Sequence, residues 1–505
     1  MMCLKAARRL PLNAPCISLR VHRGIGQEYL EEAAKAMLSG GAHPIILHDD
    51  RLIEGLTDVM KEFKTNASED DIKALTNIAC DGCFEPLVAG STEFSFTYLP
   101  LLQVIEMAIN EGATYSSAGP DYLTGTPQSL PTKSAADIKS FDEVKKFFKQ
   151  HIEIKTQQAL VRLLGNYGNI SSVCPSPLLS SIIDGCVGSG RDITDGGAKY
   201  KMIAVMYLCF SSAVDSLYAI QRLCFDQDSA MISLADMVDC LKNDWGYDIH
   251  EPTYDRVSGE VRKSRKGEFY KQVREIALQF PKFGTAEAAS NPKISDIANF
   301  VADCVANTIK KVAKIEGSPL YELLASLKKK YDKPGHDFDL LLIPGSGTFE
   351  GYIGWGLSCG ASADGRRRGQ PLGSDLSAAP LPQDLPTNLT KSTGLFSAMK
   401  CWNIDSLNAG VANGAEIDLN VSEDFSKNDL VDFLRKFSDE KASLGGNIVT
   451  VTCADLKTFS AAVENPEKYN LLRVRMGGWS EYFITFFKDH QDQHRRRVRY
   501  YCDSV

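Results

Sequence analysis

Short apolar strands alternate with amphipathic helices at both ends of this sequence, and that alternation leaves few folds open. Residues 16–21 (Cys-Ile-Ser-Leu-Arg-Val) show the period of two expected of a half-buried strand. Residues 27–38 then read as an amphipathic helix closed by Gly40 and Gly41, and 43–47 as another strand. The pattern returns late in the chain. Residues 429–437 put Leu430, Phe433, Leu434 and Phe437 on one helical face, Gly445 and Gly446 break the chain, and 447–453 reads as a strand. A helix over 455–463 follows, ended by the Asn465-Pro466 step. Such alternation predicts an α/β fold, and 505 residues suffice for a barrel.

Two stretches, 112–139 and 345–386, are rich in Gly, Pro and small polar residues. Loops this long inside a domain are usually functional or connecting. With 44% hydrophobic and 24% charged residues the composition is that of a globular protein, and a net charge of −8 argues against a nucleic-acid partner. Arg495, Arg496, Arg497 and Arg499 are the local exception, expected to be a solvated helix end or tail. The longest apolar run, 202–214, is too short to span a bilayer and reads as core, so no membrane role is expected. Lys5, Arg8 and Arg9 have the flavour of a transit peptide, but folded pattern begins by Pro11. Fourteen cysteines without regular spacing suggest reduced thiols in a cytoplasm.

Two short segments carry chemistry. The first is Val474-Arg475-Met476-Gly477-Gly478-Trp479-Ser480-Glu481-Tyr482-Phe483, approached through Asn465-Pro466-Glu467-Lys468-Tyr469. A Gly-Gly pair alone would read as a turn between strand and helix. The second is Asp81-Gly82-Cys83-Phe84-Glu85-Pro86. Cys80 and Cys83 form a Cys-x-x-Cys there, but neither a thioredoxin-like context nor a second metal-ligating pair accompanies it. Gly188-Ser189-Gly190 and Gly345-Ser346-Gly347 lack the Lys-Ser/Thr of a phosphate loop and read as ordinary turns.

The first segment resembles the C-terminal signature of glycyl radical enzymes, the pyruvate formate-lyase-like superfamily. The second resembles the Gly-Cys-x-Glu-Pro loop of that family's dehydratase and decarboxylase branch. The intervening Ser176-Pro177-Leu178-Leu179-Ser180, Asp184-Gly185-Cys186, Asp195-Gly196-Gly197-Ala198-Lys199-Tyr200, Asp215-Ser216-Leu217 and Asp364-Gly365-Arg366-Arg367-Arg368 follow the family's order. The resemblance implies that Gly478 stores the radical, Cys83 is the catalytic thiol and Glu85 its acid/base neighbour. Glycine is the residue such a radical needs, because its α-carbon can become planar with no Cβ in the way.

By the same resemblance the fold is an α/β glycyl-radical-type barrel of parallel half-sheets surrounded by helices. Residues 1–385 would be the barrel part and 386–505 the glycine radical domain. No cofactor or metal would be bound permanently; a separate radical S-adenosylmethionine activase would install the radical, in an anaerobic cytoplasm. Family members are much longer, and this sequence opens where the middle of the barrel is expected. The first half is therefore expected to be absent, in a fragment or supplied by a complementing N-terminal half, with a homodimer also in view. The expected reaction is cleavage of a C–C bond, as in decarboxylation of an apolar or aryl acid. Alternatives are a dehydratase or other C–O, C–N or C–S lyase of a small polar substrate, formate C-acetyltransferase activity, and a non-catalytic fragment needing a partner chain. Phe84 follows Cys83 where pyruvate formate-lyase has a second cysteine, which disfavours acyl transfer. Phe96 and Thr97 stand where the polyol branch has His-Asp, and 202–210 is apolar where that branch is polar, which either lines an apolar pocket or packs core.

Overall fold

In the computed structural model the described residues are 1–503 except 11, 41–42, 81–82, 116–127, 250–252, 255–256, 258–260, 263–264, 334–336 and 440–443. Pro11, Gly41, Asp81, Gly82 and residues 116–127 of the early loop therefore lie outside the described residues. The strands in chain order are β1 (Ser18–Val21), β2 (Ile45–His48), β3 (Ile78–Cys80), β4 (Pro86–Val88), β5 (Thr92–Pro100), β6 (Tyr200–Leu208), β7 (Thr253–Tyr254), β8 (Val261–Arg262), β9 (Leu340–Ser346), β10 (Ser392–Gly394), β11 (Glu416–Val421), β12 (Ile448–Cys453), β13 (Arg473–Met476), β14 (Trp479–Tyr482) and β15 (Arg499–Tyr501).

Two sheets dominate. A six-stranded sheet has the order β1-β2-β12-β11-β15-β10, parallel throughout except where β2 meets β12. It draws strands from both sides of residue 385. A three-stranded parallel sheet has the order β5-β6-β9, and a parallel bridge from Ser346 to Ala415 joins it to the start of β11. The architecture is thus mixed α/β, with parallel sheets flanked by helices, as the strand–helix alternation predicts.

Local signals act as expected. The helix Lys427–Phe437 is capped by the Ser426 hydroxyl, which accepts from the Asp429 N–H. Leu430, Phe433, Leu434 and Phe437 form its buried stripe. All six residues of β12 are buried, as parallel strands covered on both faces must be. The apolar run from 202 resolves into β6, buried along its whole length, and the equally buried helix Phe210–Ile220. Burial along the whole strand fits core packing, and Ile203 of the same strand also lines an open cavity.

Two expectations are corrected. The basic C-terminus is not a solvated tail: Arg496, Arg497 and Arg499 are buried. Arg496 pairs with Asp492 at 2.5 Å and donates to the carbonyls of Pro382 and Leu385, so burial leaves its charge compensated. Gly345-Ser346-Gly347 is not a turn either, since Gly345 and Ser346 end β9.

Candidate active site

The Cys83 loop and the Gly477-Gly478 loop come from opposite ends of the described chain and meet where the two main sheets join. Cys83 and Glu85 sit in the connection of the β3–β4 hairpin. Phe84 between them is fully buried and acts as the anchor. Its ring lies against Gly347, where a Cβ would come within 2.4 Å of Phe84 Cζ, and against Gly414, where one would come within 2.9 Å of the Phe84 carbonyl oxygen. Both glycines have positive φ, +154° and +99°. Only glycine satisfies both the space and the backbone there. The cysteine loop is therefore pinned by glycines at the end of β9 and just before β11.

Glu85 is buried and accepts the Phe84 N–H at 3.2 Å. Cys83 is half-buried, and burial, then the Glu85 charge, push its thiol up to about 12. Such a thiol keeps its hydrogen at neutral pH.

Gly477 and Gly478 form the tip of the β13–β14 hairpin, with φ of 49° and 149°, and both are buried. The Gly477 N–H donates to Asp418 Oδ2 at 2.8 Å. Arg475 next to the tip is the link between the loops. Its guanidinium donates to the Cys83 carbonyl at 3.1 Å and pairs with Glu416 Oε1 at 3.0 Å, with neither side chain reached by solvent. Arg497 backs this arrangement, 3.5 Å from Asp418 and 2.6 Å from Ser374 Oγ. Asp375 in turn accepts the Asp418 and Ser377 N–H groups. Burial, then the neighbouring carboxylates, hold Glu416 well above the usual carboxylate range, and burial, then Asp418, also raise Asp375.

A row of rings leads along β5 to the loops, reaching them at Tyr98. Phe94, Phe96 and Tyr98 alternate along β5, with centroids 5.7 and 5.3 Å apart, and Tyr98 continues to Trp355 at 5.7 Å. Glu350, Glu85 and Cys83 all act on the Tyr98 hydroxyl, which places it at the site; burial and those groups raise its pKa above the ordinary tyrosine range. Glu350 also accepts from the Trp479 indole N–H at 3.2 Å, next to Gly478. Thr97 lines an open cavity of about 1060 Å3, and so does Phe94 at the far end of the row. Among the described residues no group of three or more His, Cys, Asp or Glu is arranged to hold a metal ion, and no helix is long and apolar enough to cross a membrane.

Sequence reasoning singled out Gly478, Cys83 and Glu85. It missed Arg475 as a bridge, Glu416, Asp418, Arg497, Tyr98 and Glu350, and it missed why Gly347 is glycine. One signal was available: Glu416 and Asp418 alternate with Ile417 and Leu419 in an apolar strand, so two carboxylates share one face.

The fold and this site define a glycyl radical-type α/β enzyme scaffold. Residues 1–327 match the pyruvate formate lyase-like family, and the chain belongs to it. It is 25% identical over 494 residues to the (2S)-3-sulfopropanediol dehydratase of Klebsiella oxytoca, covering 97% of this chain and 51% of that protein. It is 21% identical over 526 residues to the indoleacetate decarboxylase of Tractidigestivibacter scatoligenes, covering 99% of this chain and 52% of that one. Among solved structures, the B12-independent glycerol dehydratase of Clostridium butyricum superposes with a TM-score of 0.75 at 22% identity, covering 99% of this chain and 54% of the other. A glycyl radical enzyme from Archaeoglobus fulgidus superposes with a TM-score of 0.73 at 20% identity, covering 98% and 54%. The chain thus spans about half the length of the relatives it matches.

Proposed function

We propose that this chain carries the radical and thiol loops of a glycyl radical lyase, with residues 386–505 as the radical domain and 1–385 as barrel. Gly478 stores the unpaired electron. The Cys83 S–H gives its hydrogen atom to that α-carbon, and the resulting thiyl takes a hydrogen from substrate; after bond cleavage the product radical recovers it from Cys83. A thiol pushed up to about 12 suits this step, because the protonated form holds the atom to be passed. Glu85 moves a proton at the substrate's polar group. The observation that carries the reading is Arg475 donating to the Cys83 carbonyl while ion-paired to Glu416, which ties the radical hairpin to the thiol loop.

The row Phe94, Phe96, Tyr98 and Trp355 favours an apolar or aryl acid and hence decarboxylation. Dehydration of a small polar substrate is the second reading, favoured by the dehydratase relative and by Glu350 and Tyr98 as polar groups near Glu85. A radical S-adenosylmethionine activase in an anoxic cytoplasm would install the radical. A polypeptide equivalent to the relatives' other half would complete the substrate pocket.

The test is anoxic activation of the chain, alone and with such a half, followed by electron paramagnetic resonance and product analysis. A doublet that loses its α-hydrogen splitting when Gly478 is deuterated, with carbon dioxide released from aryl acids, is expected. Water elimination without carbon dioxide supports the second reading. Absence of a doublet under both conditions ends the radical proposal.

A further inference from the structure

A groove of about 450 Å3 opens at the start of β6, beside the loop that runs from Asp195 to Lys199. It lies away from the thiol. Lys201, on its wall, pairs in register with Glu93 of β5, and Glu93 is five residues before Tyr98, about 16 Å along a strand.

Lys201 is only 4% exposed. Its Nζ donates to the Ala198 carbonyl at 3.3 Å and lies 5.2 Å from the Phe338 ring centroid, and among the described residues it forms no ion pair. Glu93, Asp339 and Asp332 attract it from further off, while Lys64 repels it. Glu93 is a weak counter-charge. Its carboxylate oxygen accepts the Tyr167 hydroxyl at 2.8 Å, and burial pushes the carboxyl up to about 7, so it is only partly ionised at neutral pH. A buried ammonium without a full counter-charge is costly, and an anion in the groove would relieve that cost.

The rest of the wall shares this imbalance. Arg191 stacks over Tyr331 at 4.7 Å and lies 3.7 Å from Asp195. Lys64 is 3.3 Å from Asp71, and Lys199 and Lys333 add further charge, against Asp184 and Asp337 on the same wall. Tyr331 and Phe338 are stacked at 4.7 Å and so form one platform under both Arg191 and Lys201. That platform fixes a planar fork and a point charge on the same groove, the pairing that recognises an oxyanion.

We propose that this groove binds a small molecule bearing a phosphate group, with Arg191 and Lys201 as its main donors. The volume exceeds a bare phosphate ion and suits a phosphate ester of a small polyol or sugar. The site is independent of the radical reading, since binding needs no activation.

The experiment titrates inorganic phosphate and, separately, glycerol 3-phosphate into the full chain in chloride buffer, read by calorimetry. One saturable site is expected, weakened tenfold or more by Arg191→Gln and by Lys201→Met, about the loss of one charge-assisted hydrogen bond. Lys457→Gln, at an exposed helix position elsewhere, should change nothing. Tighter binding of the ester identifies an organic phosphate, and equal binding a free oxyanion. Should Lys201→Met fail to fold by circular dichroism, Arg191→Gln and the exposed Lys199→Gln decide the matter. No saturable heat, or affinities in the groove variants equal to that of Lys457→Gln, overturns the proposal.

Discussion

Replacing Arg475 by Met should release the β13–β14 hairpin from the Cys83 loop without unfolding the sheets. Arg475 and Glu416 are both completely buried, and the guanidinium reaches Glu416 Oε1 twice, at 3.1 and 3.0 Å, and the Cys83 carbonyl once. Removing one partner of a buried pair costs about 3–5 kcal/mol, because the other charge is left stranded. Glu416 can escape part of that cost by taking a proton, since its carboxyl is already held well above the usual range. That places the loss near the lower figure, about 3 kcal/mol, or roughly a hundredfold in local opening. Hydrogen exchange read by mass spectrometry is the assay, because a chain of this size need not unfold in two states. Amides of β13–β14 and of the β3–β4 connection should exchange roughly a hundredfold faster, with little change in the helix Pro292–Val312. Arg475→Met combined with Glu416→Met should recover part of the protection, since no charge remains stranded. Exchange within twofold of the parent in both hairpins would show that Arg475 does not couple them.

Other perturbations follow from the same geometry. Gly347→Ala puts a methyl 2.4 Å from Phe84 Cζ and should loosen the Cys83 loop by about 1–3 kcal/mol, whereas Gly354→Ala, with nothing within 4 Å, should be neutral; differential exchange over 83–88 checks both. With its thiol pushed up to about 12 from 9, Cys83 should alkylate about a thousandfold more slowly at pH 8 than an ordinary thiol, so exposed Cys3 and Cys174 should label first in peptide maps. Equal labelling rates would contradict the buried, protonated Cys83. Glu93 has a folded-state pKa raised by burial to about 7 from 4.5, so its contribution to stability is complete below pH 4.5 and is lost as pH rises through 7. Glu93→Gln should therefore flatten stability against pH over that window, measured by thermal unfolding; an unchanged slope refutes it.

How much of this was legible beforehand differs from residue to residue. The helix Lys427–Phe437 and strand β12 could be read almost to their ends, because a stripe at helical spacing and an apolar run bounded by glycines are local patterns. Gly478 and Cys83 stood out through their neighbours in sequence. Arg497 was misread because a run of arginines looks solvated until the carboxylates that bury it are known. Those carboxylates, Asp375 and Asp418, lie more than seventy residues away.

Strands, helices and the two loop motifs were determined by the sequence itself, since periodicity, capping and a glycine's freedom act over a few residues. Which loop faces which was decided only by tertiary structure. Arg475 meets the Cys83 carbonyl from 392 positions away in the chain, and Phe84 fits between Gly347 and Gly414 only after β9 and β11 are brought side by side. Buried charge behaves likewise: whether Arg475, Lys201 or Glu93 is compensated depends on groups that chain folding alone delivers.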